Sequence, residues 1–285
     1  MKIISKLFDQ YEAFIVDIWG VVHDGGDVFS GTVECLQYIK RQQKPLIFLT
    51  NSPRRSAALV KLLGTKGLKS DLYYSILSSG EFFYHQAKNN LFPNFSGERP
   101  KLFCIDEFPD DYIFQGLNVE KVDSLSKADF LVVFTIPYTE GECAKYNDNL
   151  EDALKYNIPM ICVNPDESVT MNGKKVIRPG FLAKIYHQKG GKVYFYGKPN
   201  SEIYRSALKL LPSVNPKKIL CIGDTLSTDI QGAVSMGLDS ALVIGHSGNA
   251  LGCKVWCEKY PPKNLNLTLS NGLPNYYISS FSFIS

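Results

Sequence analysis

Short apolar runs, each closed by a turn signal or by polar residues, recur along the chain. The runs 13–17 and 46–50 have the length and apolar character of fully buried parallel strands. Apolar residues at helical spacing lie between these runs and after the second one, and Pro53 suits the first turn of the later helix. The beginning of the chain therefore predicts strand, helix, strand and helix in that order.

The second half of the chain repeats this alternation, and Gly237 stops the last predicted helix. The predicted strands of this half are 192–196, 219–222 and 240–245, the helices are 202–211 and 229–236, and an edge strand is expected near 276–278. Alternation of this kind predicts an α/β fold, a Rossmann-like doubly wound parallel sheet wrapped by helices.

The middle of the chain also alternates between strand-like and helical patterns, but it carries few candidate catalytic residues. We expect it to form a separate α/β module inserted into the first domain. The predicted domains are a core of residues 1–79 and 188–285 and an inserted module of residues 80–187. A chain of 285 residues is long enough for two domains.

Asp17 stands at the end of the first predicted strand. Ligands of open parallel sheets bind outside the carboxyl ends of the strands, so a carboxylate there is well placed. A carboxylate can attack phosphorus and form an aspartyl-phosphate, which divides a difficult hydrolysis into two easier steps. Taken alone, Asp17 is also compatible with an ordinary turn or helix-cap acid, and that is the commoner case.

Two further strand ends carry groups suited to a phosphate. Thr50, Asn51 and Ser52 offer hydroxyl and backbone N–H groups at the start of a predicted helix, where the helix dipole favours anions. Lys198 follows the strand 192–196, where its ammonium would neutralise charge on a nucleophile and on a phosphate. An ordinary helix cap and a solvated lysine are the local alternatives.

Asp224 and Asp229 follow the strand 219–222, one on the loop and one about a turn into the next predicted helix. Two such carboxylates can sit beside one cation, and Mg²⁺ prefers hard oxygen ligands together with water and substrate phosphate. Helix N-terminal acids that satisfy the helix dipole are the alternative.

The order of these segments resembles motifs one to four of the haloacid dehalogenase-like hydrolases. Their spacing is similar to that of the class IIA, NagD-like branch, which has a large α/β cap between motifs two and three. The likeness covers nearly the whole chain. Its supporting matches are Leu49-Thr50-Asn51-Ser52, Val163-Asn164-Pro165-Asp166, Tyr196-Gly197-Lys198-Pro199 and the run from Asp224 through Asp229 into Gly232-Ala233 and Gly237.

The resemblance implies a role for each motif. Asp17 would be the nucleophile and a Mg²⁺ ligand, together with the backbone carbonyl of Trp19. Asp224 would bind the metal directly, and Asp229 would hold a metal-bound water or orient Lys198. The second motif and Lys198 would bind the transferring phosphoryl group, and the inserted module would be a cap that closes over the site and selects the substrate.

Trp19 departs from the family pattern, which is Asp-x-Asp-Gly in the first motif. The second Asp of that pattern protonates the leaving group and then activates water, a contribution of about 10²–10⁴-fold. The indole N–H is a donor only and cannot act as a base. His23 and Asp24 are candidate substitutes, although ordinary turn residues are the favoured reading of both. The pattern Asp-x-Trp-Gly resembles an uncharacterised subgroup of class IIA.

Composition narrows the possible partners. A net charge of +3 with scattered Lys and Arg does not favour nucleic acid, and no apolar run approaches the ~20 residues of a membrane span. The odd count of seven cysteines favours reduced thiols and a cytoplasmic location. Cys253 and Cys257 form a close pair without the further ligands of a zinc site.

The sequence therefore predicts a Mg²⁺-dependent phosphohydrolase that acts on a small phosphorylated metabolite. One alternative is a phospholigand-binding or regulatory protein with very slow turnover. Another is a hydrolase of a non-ester bond such as a phosphonate, which would need a Schiff-base lysine in the cap. The candidate lysines are Lys145, Lys155, Lys174, Lys175 and Lys184. A homodimer is left open.

Overall fold

The protein forms two parallel sheets and a small antiparallel hairpin. None of its described helices combines the length and the apolar character needed to cross a bilayer. Cys253 and Cys257 lie outside the described residues. The computed structural model describes residues 2–105, 113–136, 139–171, 174–245 and 273–283.

The strands confirm the predicted alternation, including the edge strand near the end of the chain. In chain order they are β1 Ala13–Val16, β2 Leu46–Thr50, β3 Ser75–Ser78, β4 Lys101–Cys104, β5 Glu120–Lys121, β6 Phe130–Val133, β7 Met160–Cys162, β8 Ser168–Met171, β9 Lys174–Ile177, β10 Val193–Phe195, β11 Ile219–Gly223, β12 Asp239–Val243 and β13 Tyr276–Ile278.

The α-helices connect these strands. In chain order they are α1 Lys2–Asp9, α2 Thr32–Arg41, α3 Ser56–Thr65, α4 Ser79–Lys88, α5 Glu140–Cys143, α6 Asn147–Lys155, α7 Pro179–Gln188, α8 Ser201–Lys209 and α9 Gln231–Ser235.

The six-stranded sheet has the order β13-β12-β11-β1-β2-β3, and all of its neighbours pair in parallel. The chain runs from β1 outward to β3, and it later returns to the other side of β1 and runs outward to β13. This reversal makes the sheet doubly wound, with its topological switch point between β1 and β11. The predicted Rossmann-like α/β core is confirmed.

Alternate residues of the central strands face two different cores. Phe14 and Val16 of β1 pack with the apolar faces of α1, α2 and α3. Ala13 and Ile15 of the same strand pack with α4, α8 and α9. Because a strand alternates its side chains between the two faces, these continuously apolar runs belong to strands covered on both sides.

The five-stranded sheet has the order β10-β7-β6-β4-β5 and is also parallel. Its strands lie between β3 and β11 in the chain. The antiparallel hairpin β8–β9 follows β7 and precedes α7. The predicted core of residues 1–79 and 188–285 includes β10. Backbone pairing, however, joins β10 to β7, a strand of the predicted inserted module. The division into a core and an inserted cap stays a prediction.

The predicted start of the helix after β2 is wrong. Pro53 precedes the helix, and α3 begins at Ser56. The reason is a long-range contact: the carboxylate of Glu81 in α4 accepts from the backbone N–H of Ser56 at 2.9 Å and from Arg55 Nε at 2.8 Å. The guanidinium of Arg55 also lies 3.3 Å from the centre of the Tyr84 ring.

The segment after β11 also begins differently from the prediction. Instead of an α-helix from residue 229, it opens with a π-helical turn over Leu226–Ile230 and continues as α9. This wider turn directs the Asp229 side chain back toward the end of β11, where its Oδ2 accepts from the backbone N–H of Thr225 at 3.1 Å.

Candidate active site

Asp17 follows β1 at the switch point of the six-stranded sheet. Its backbone N–H donates to the carbonyl of Ile222 in β11 at 2.8 Å, which continues the parallel ladder one residue beyond the strand. Its side chain is buried. The first predicted site residue therefore lies where open parallel sheets bind their ligands.

Lys198 brings two of the predicted acids together. Its Nζ donates to Oδ1 of Asp17 and to Oδ1 of Asp229, each at 2.7 Å. All three side chains are buried. An ammonium between two carboxylates satisfies charges that would otherwise be very unfavourable away from water.

Asp224 completes an acidic cluster. Oxygen atoms of Asp17, Asp224 and Asp229 all lie within 4.8 Å of one another. Thr225 supports the cluster, because its hydroxyl lies 3.0 Å from Asp224 Oδ1, the acceptor. The described residues thus place three buried carboxylates around a single ammonium, which leaves negative charge in excess.

The pKa values of the cluster follow from this crowding. Burial raises the pKa of the Asp17 carboxyl well above its ordinary value, the Lys198 ammonium opposes that rise, and the charges of Asp229 and Asp224 add to it. Burial lowers the pKa of Lys198, but Asp17 and Asp229 raise it above its ordinary value. Lys198 is therefore charged, and its 2.7 Å contact with Asp17 opposes the rise in the pKa of that carboxyl.

The three residues of the second motif have different positions. Thr50 ends β2, lines the cavity described below, and its Oγ1 accepts from the backbone N–H of Ser52 at 3.3 Å. Asn51 also lines the cavity, whereas Ser52 is not among its lining residues. No helix starts at this point, because α3 begins at Ser56.

The side chain of Asn51 holds the Lys198 loop. Its Oδ1 accepts from the backbone N–H of Lys198 at 2.7 Å, and its Nδ2 donates to the Lys198 carbonyl at 3.2 Å. Gly197 allows this approach, since a Cβ there would lie 2.6 Å from Asn51 Oδ1 and 2.4 Å from Ser79 Oγ, and its φ is +138°. Lys198 follows a strand of the other sheet, so this contact carries it to the acids.

Asp166 is a site residue to which the sequence assigned no role. Its Oδ1 accepts from Asn51 Nδ2 at 2.8 Å, and it lines the same cavity as Asp17. Burial raises its pKa, and the charge of Lys198 opposes that rise. The run Asn164-Pro165-Asp166 was a signal for its importance, because it belongs to the supporting matches of the resemblance.

A cavity of about 1370 Å³ opens above the acidic cluster. Its walls combine the polar groups already described with apolar and aromatic surface from β10 and the segment after α4. Its lining residues include Asp17, Trp19, Thr50, Asp166, Ser168 and Val169. A concave site with a few convergent polar groups is the usual form of a small-molecule site.

Trp19 lines this cavity. His23 and Asp24, the candidate substitutes for the missing acid, do not line it. The indole N–H of Trp19 donates to the carbonyl of Thr170 at 3.1 Å. His23 is buried, and its Nδ1 accepts from the backbone N–H of Gly25 at 3.0 Å. His23 and Asp24 therefore act as loop residues in this arrangement.

Comparison with known proteins now decides the family. A haloacid dehalogenase-like hydrolase model matches residues 14–106, and a HAD-hydrolase-like model matches residues 195–253. These two stretches carry Asp17, Thr50, Lys198 and Asp224. The chain belongs to the haloacid dehalogenase-like hydrolases.

Relatives of this hydrolase agree with that assignment over most of the chain. It is 26% identical to the ribonucleotide monophosphatase NagD of Escherichia coli over 240 residues, which covers 81% of this chain and 86% of NagD. It is 20% identical to the acid sugar phosphatase of Staphylococcus epidermidis over 273 residues, 92% of this chain and 98% of the relative.

A haloacid dehalogenase-like hydrolase of Brucella suis has a similar solved structure. Its TM-score is 0.80, its sequence is 29% identical, and the match covers 97% of each chain. Together these likenesses confirm the class IIA branch and a hydrolase of the phosphatase type. The subgroup defined by Trp19 stays a prediction.

The free energy of unfolding of this hydrolase should depend on pH because of His23. Burial and, to a smaller extent, the charge of Lys66 lower the pKa of His23 to about 4, and the charge of Asp24 opposes the shift. An unfolded histidine titrates near 6.5, so the unfolded chain binds this proton first as the pH falls. We expect His23 to remove up to about 3 kcal/mol of stability between pH 6.5 and pH 4, and none of it above pH 7.

His23→Asn removes the titrating imidazole and keeps its hydrogen bond, because the Asn oxygen can still accept from the N–H of Gly25. Chemical unfolding at several pH values is the measurement. The wild type should lose more stability than His23→Asn below pH 6.5, and the two curves should run parallel above pH 7. Parallel curves over the whole range would show that His23 titrates normally in the folded protein.

Proposed function

We propose that this hydrolase is a Mg²⁺-dependent phosphatase that cleaves phosphate monoesters of small metabolites through an aspartyl-phosphate on Asp17. The observation that supports this most directly is the buried triad Asp17–Lys198–Asp229 beside Asp224, at the floor of a cavity. Such a triad points a carboxylate and an ammonium at the same bound group. Nucleophilic attack and phosphoryl binding both need that arrangement.

The reaction proceeds in two displacements. The carboxylate of Asp17 attacks phosphorus, and the bond to the leaving oxygen breaks with its electron pair on that oxygen. Water then attacks the phosphoryl group, releases phosphate and restores the carboxylate. Lys198 neutralises charge on the transferring group, and the hydroxyl of Thr50 donates to one of its oxygens. Asn51 holds the backbone of Lys198 in place for this role.

The donor set fits a divalent cation. Asp17, Asp224 and Asp229 offer hard oxygen ligands, and their negative charge exceeds the positive charge of Lys198. Mg²⁺ prefers few protein carboxylates together with water and substrate phosphate. Asp17, Asp224 and the backbone carbonyl of Trp19 would hold the ion, which would supply charge neutralisation at the phosphoryl oxygens. Both Asp229 oxygens contact protein donors, so Asp229 orients Lys198 and would reach the ion through water.

Trp19 limits the choice of leaving group. Its one polar hydrogen donates to the carbonyl of Thr170, so the indole offers no proton to a leaving oxygen. An alkoxide needs a proton to leave, whereas a phenolate or the carboxylate released from an acyl phosphate is already a tolerable leaving group. Aryl and acyl phosphates should therefore be cleaved much faster than alkyl phosphates.

Phosphate release from a panel of aryl, acyl and alkyl phosphates, with Mg²⁺ or with EDTA, tests the proposed function. We expect turnover only with Mg²⁺ and a preference of about 10²-fold or more for the aryl over the alkyl ester. Asp224→Asn should need at least about tenfold more Mg²⁺ for half-maximal rate, because it loses one charged ligand.

Three results would count against this proposal. Phosphate release that is unchanged in EDTA would rule out the metal. Equal rates on aryl and alkyl esters would show that another group protonates the leaving oxygen, and Asp166→Asn would then be the first variant to measure. A hydrolase that binds phosphate but releases none from any ester would fit the regulatory alternative.

The phosphonate alternative has less support. The five candidate lysines are all exposed, so none of them has the desolvated setting that activates a Schiff-base lysine. Lys184 lines the cavity, but its Nζ is 2.8 Å from Glu167. The homodimer stays a prediction.

A further inference from the structure

Trp19 joins the loop after β1 to the β8–β9 hairpin. Its Nε1 donates to the carbonyl oxygen of Thr170 at 3.1 Å, across 151 positions of the chain. Trp19 lies only two residues after Asp17, whereas Thr170 belongs to β8. The Trp19 side chain therefore connects the loop that follows the proposed nucleophile with the β8–β9 hairpin.

The indole ring makes further contacts on the same side. The guanidinium of Arg178, which follows β9, lies 5.9 Å from the ring centre. The ring of His23 meets it edge-on at 5.6 Å. Gly25 packs directly against it, because a Cβ there would lie 3.1 Å from Trp19 Cη2 and 3.6 Å from Met171 Cγ. The loop, strand β8 and the residue that follows β9 thus meet around the indole.

The loop itself is held from the opposite side. Lys66, just after α3, donates its Nζ to the carbonyl of Gly25 at 2.9 Å and also to the carbonyl of Gly26. The segment from Trp19 to Gly26 therefore bridges the six-stranded sheet and the hairpin. Ser168 and Val169 of the hairpin line the cavity beside Trp19.

We infer that Trp19 is a positioning residue that anchors the β8–β9 hairpin over the active site. The anchor needs a donor, because its partner is a backbone carbonyl. A carboxylate at this position has no hydrogen to donate and would repel the carbonyl of Thr170. The residue that leaves this hydrolase without the usual acid thus provides a contact that the acid could not make.

Trp19→Phe tests the anchor, since it keeps an aromatic ring and removes the N–H together with part of the indole. We expect backbone amides of the hairpin, residues 168–171 and 174–177, to exchange hydrogen roughly two- to tenfold faster than in the wild type. That factor corresponds to the loss of one neutral hydrogen bond. Hydrogen exchange with mass spectrometry on the whole protein measures it without any substrate.

Kinetics with an aryl phosphate separate positioning from a merely structural role, and this arm rests on the proposed function. The hairpin lines the cavity, so its release should raise KM by a similar two- to tenfold factor. Lys198, Asp17 and Thr50 are untouched, so kcat should change less than twofold. If the proposed function fails and no ester is cleaved, the exchange measurement still decides the anchor.

Lys175→Met is the matched control. Lys175 pairs across the hairpin with Thr170, but its exposed side chain faces Glu140 at 3.8 Å. Its loss should leave hairpin exchange and KM unchanged. If Trp19→Phe does not fold, Gly25→Ala replaces it, because its methyl enters the space of the indole and should speed exchange in the same direction.

Three outcomes would overturn the inference. Hairpin exchange that is equal in Trp19→Phe and the wild type would show that the hairpin is held by other contacts. Faster exchange with an unchanged KM would show that the anchored hairpin has no part in binding the substrate. A fall in kcat at constant KM would assign Trp19 to the chemistry instead.

Discussion

Asp17→Asn should abolish phosphate release, with a loss on the order of 10⁴-fold or more, while the protein stays folded. The amide cannot attack phosphorus, so the covalent route is closed. The substitution also removes one of three crowded buried carboxylates, and Lys198 keeps its contact with Asp229. We therefore expect a stability in EDTA that is equal to or higher than that of the wild type, as is common where function strains a site.

Phosphate release, thermal unfolding in EDTA and mass spectrometry of the acid-quenched chain check this expectation. The wild-type chain should carry a phosphoryl group after the quench, and Asp17→Asn should carry none. Asp71→Asn is the control, because Asp71 forms an exposed ion pair with Lys40 at 2.8 Å. It should behave like the wild type in all three measurements. Full activity in Asp17→Asn would refute the nucleophile assignment.

Lys198→Met should affect stability and activity together. Removing the ammonium leaves buried carboxylates without their partner, which typically lowers stability by about 3–5 kcal/mol. Loss of a preorganised charge at the phosphoryl group should lower the rate by about 10²–10³-fold. The acidic cluster remains, so Mg²⁺ should stabilise Lys198→Met more than the wild type.

Unfolding with and without Mg²⁺, beside phosphate release, measures both effects. Lys40→Met provides the comparison, since it also removes a lysine from an ion pair, but an exposed one. Its stability should change by less than about 1 kcal/mol. If Lys198→Met were as stable as Lys40→Met in EDTA, the carboxylates would already be protonated without the ammonium, and the charge description of the site would be wrong.

The pattern of apolar runs was enough to predict most of the core. β1, β2 and β11 are buried on both faces, so their sequences are continuously apolar and need no partner to be recognised. Asp17 and Asp224 follow two such strands directly. Because the carboxyl ends of parallel strands share one edge of a sheet, their meeting at the switch point was predictable.

The start of α3 was not predictable from local residues. Pro53 is well suited to a first helical turn, yet the helix begins at Ser56, where Glu81 caps it from α4. A helix that starts at Pro53 and one that starts at Ser56 differ by little free energy. The contact of Ser56 with Glu81, 25 positions later in the chain, therefore decides between them. Arg55, the preceding residue, contacts the same Glu81 and also Tyr84.

The sequence by itself determined the doubly wound sheet and the identity of the acids and the lysine, because burial of a strand and the residue at its end are local properties. Only the tertiary structure decided how these groups are held. Asn51 contacts Lys198 across 147 positions, and Trp19 contacts Thr170 across 151. Each contact consists of one or two hydrogen bonds between a side chain and a distant backbone group. Such a bond leaves no periodic pattern in the sequence, since it depends on how two separate sheets and a hairpin pack together.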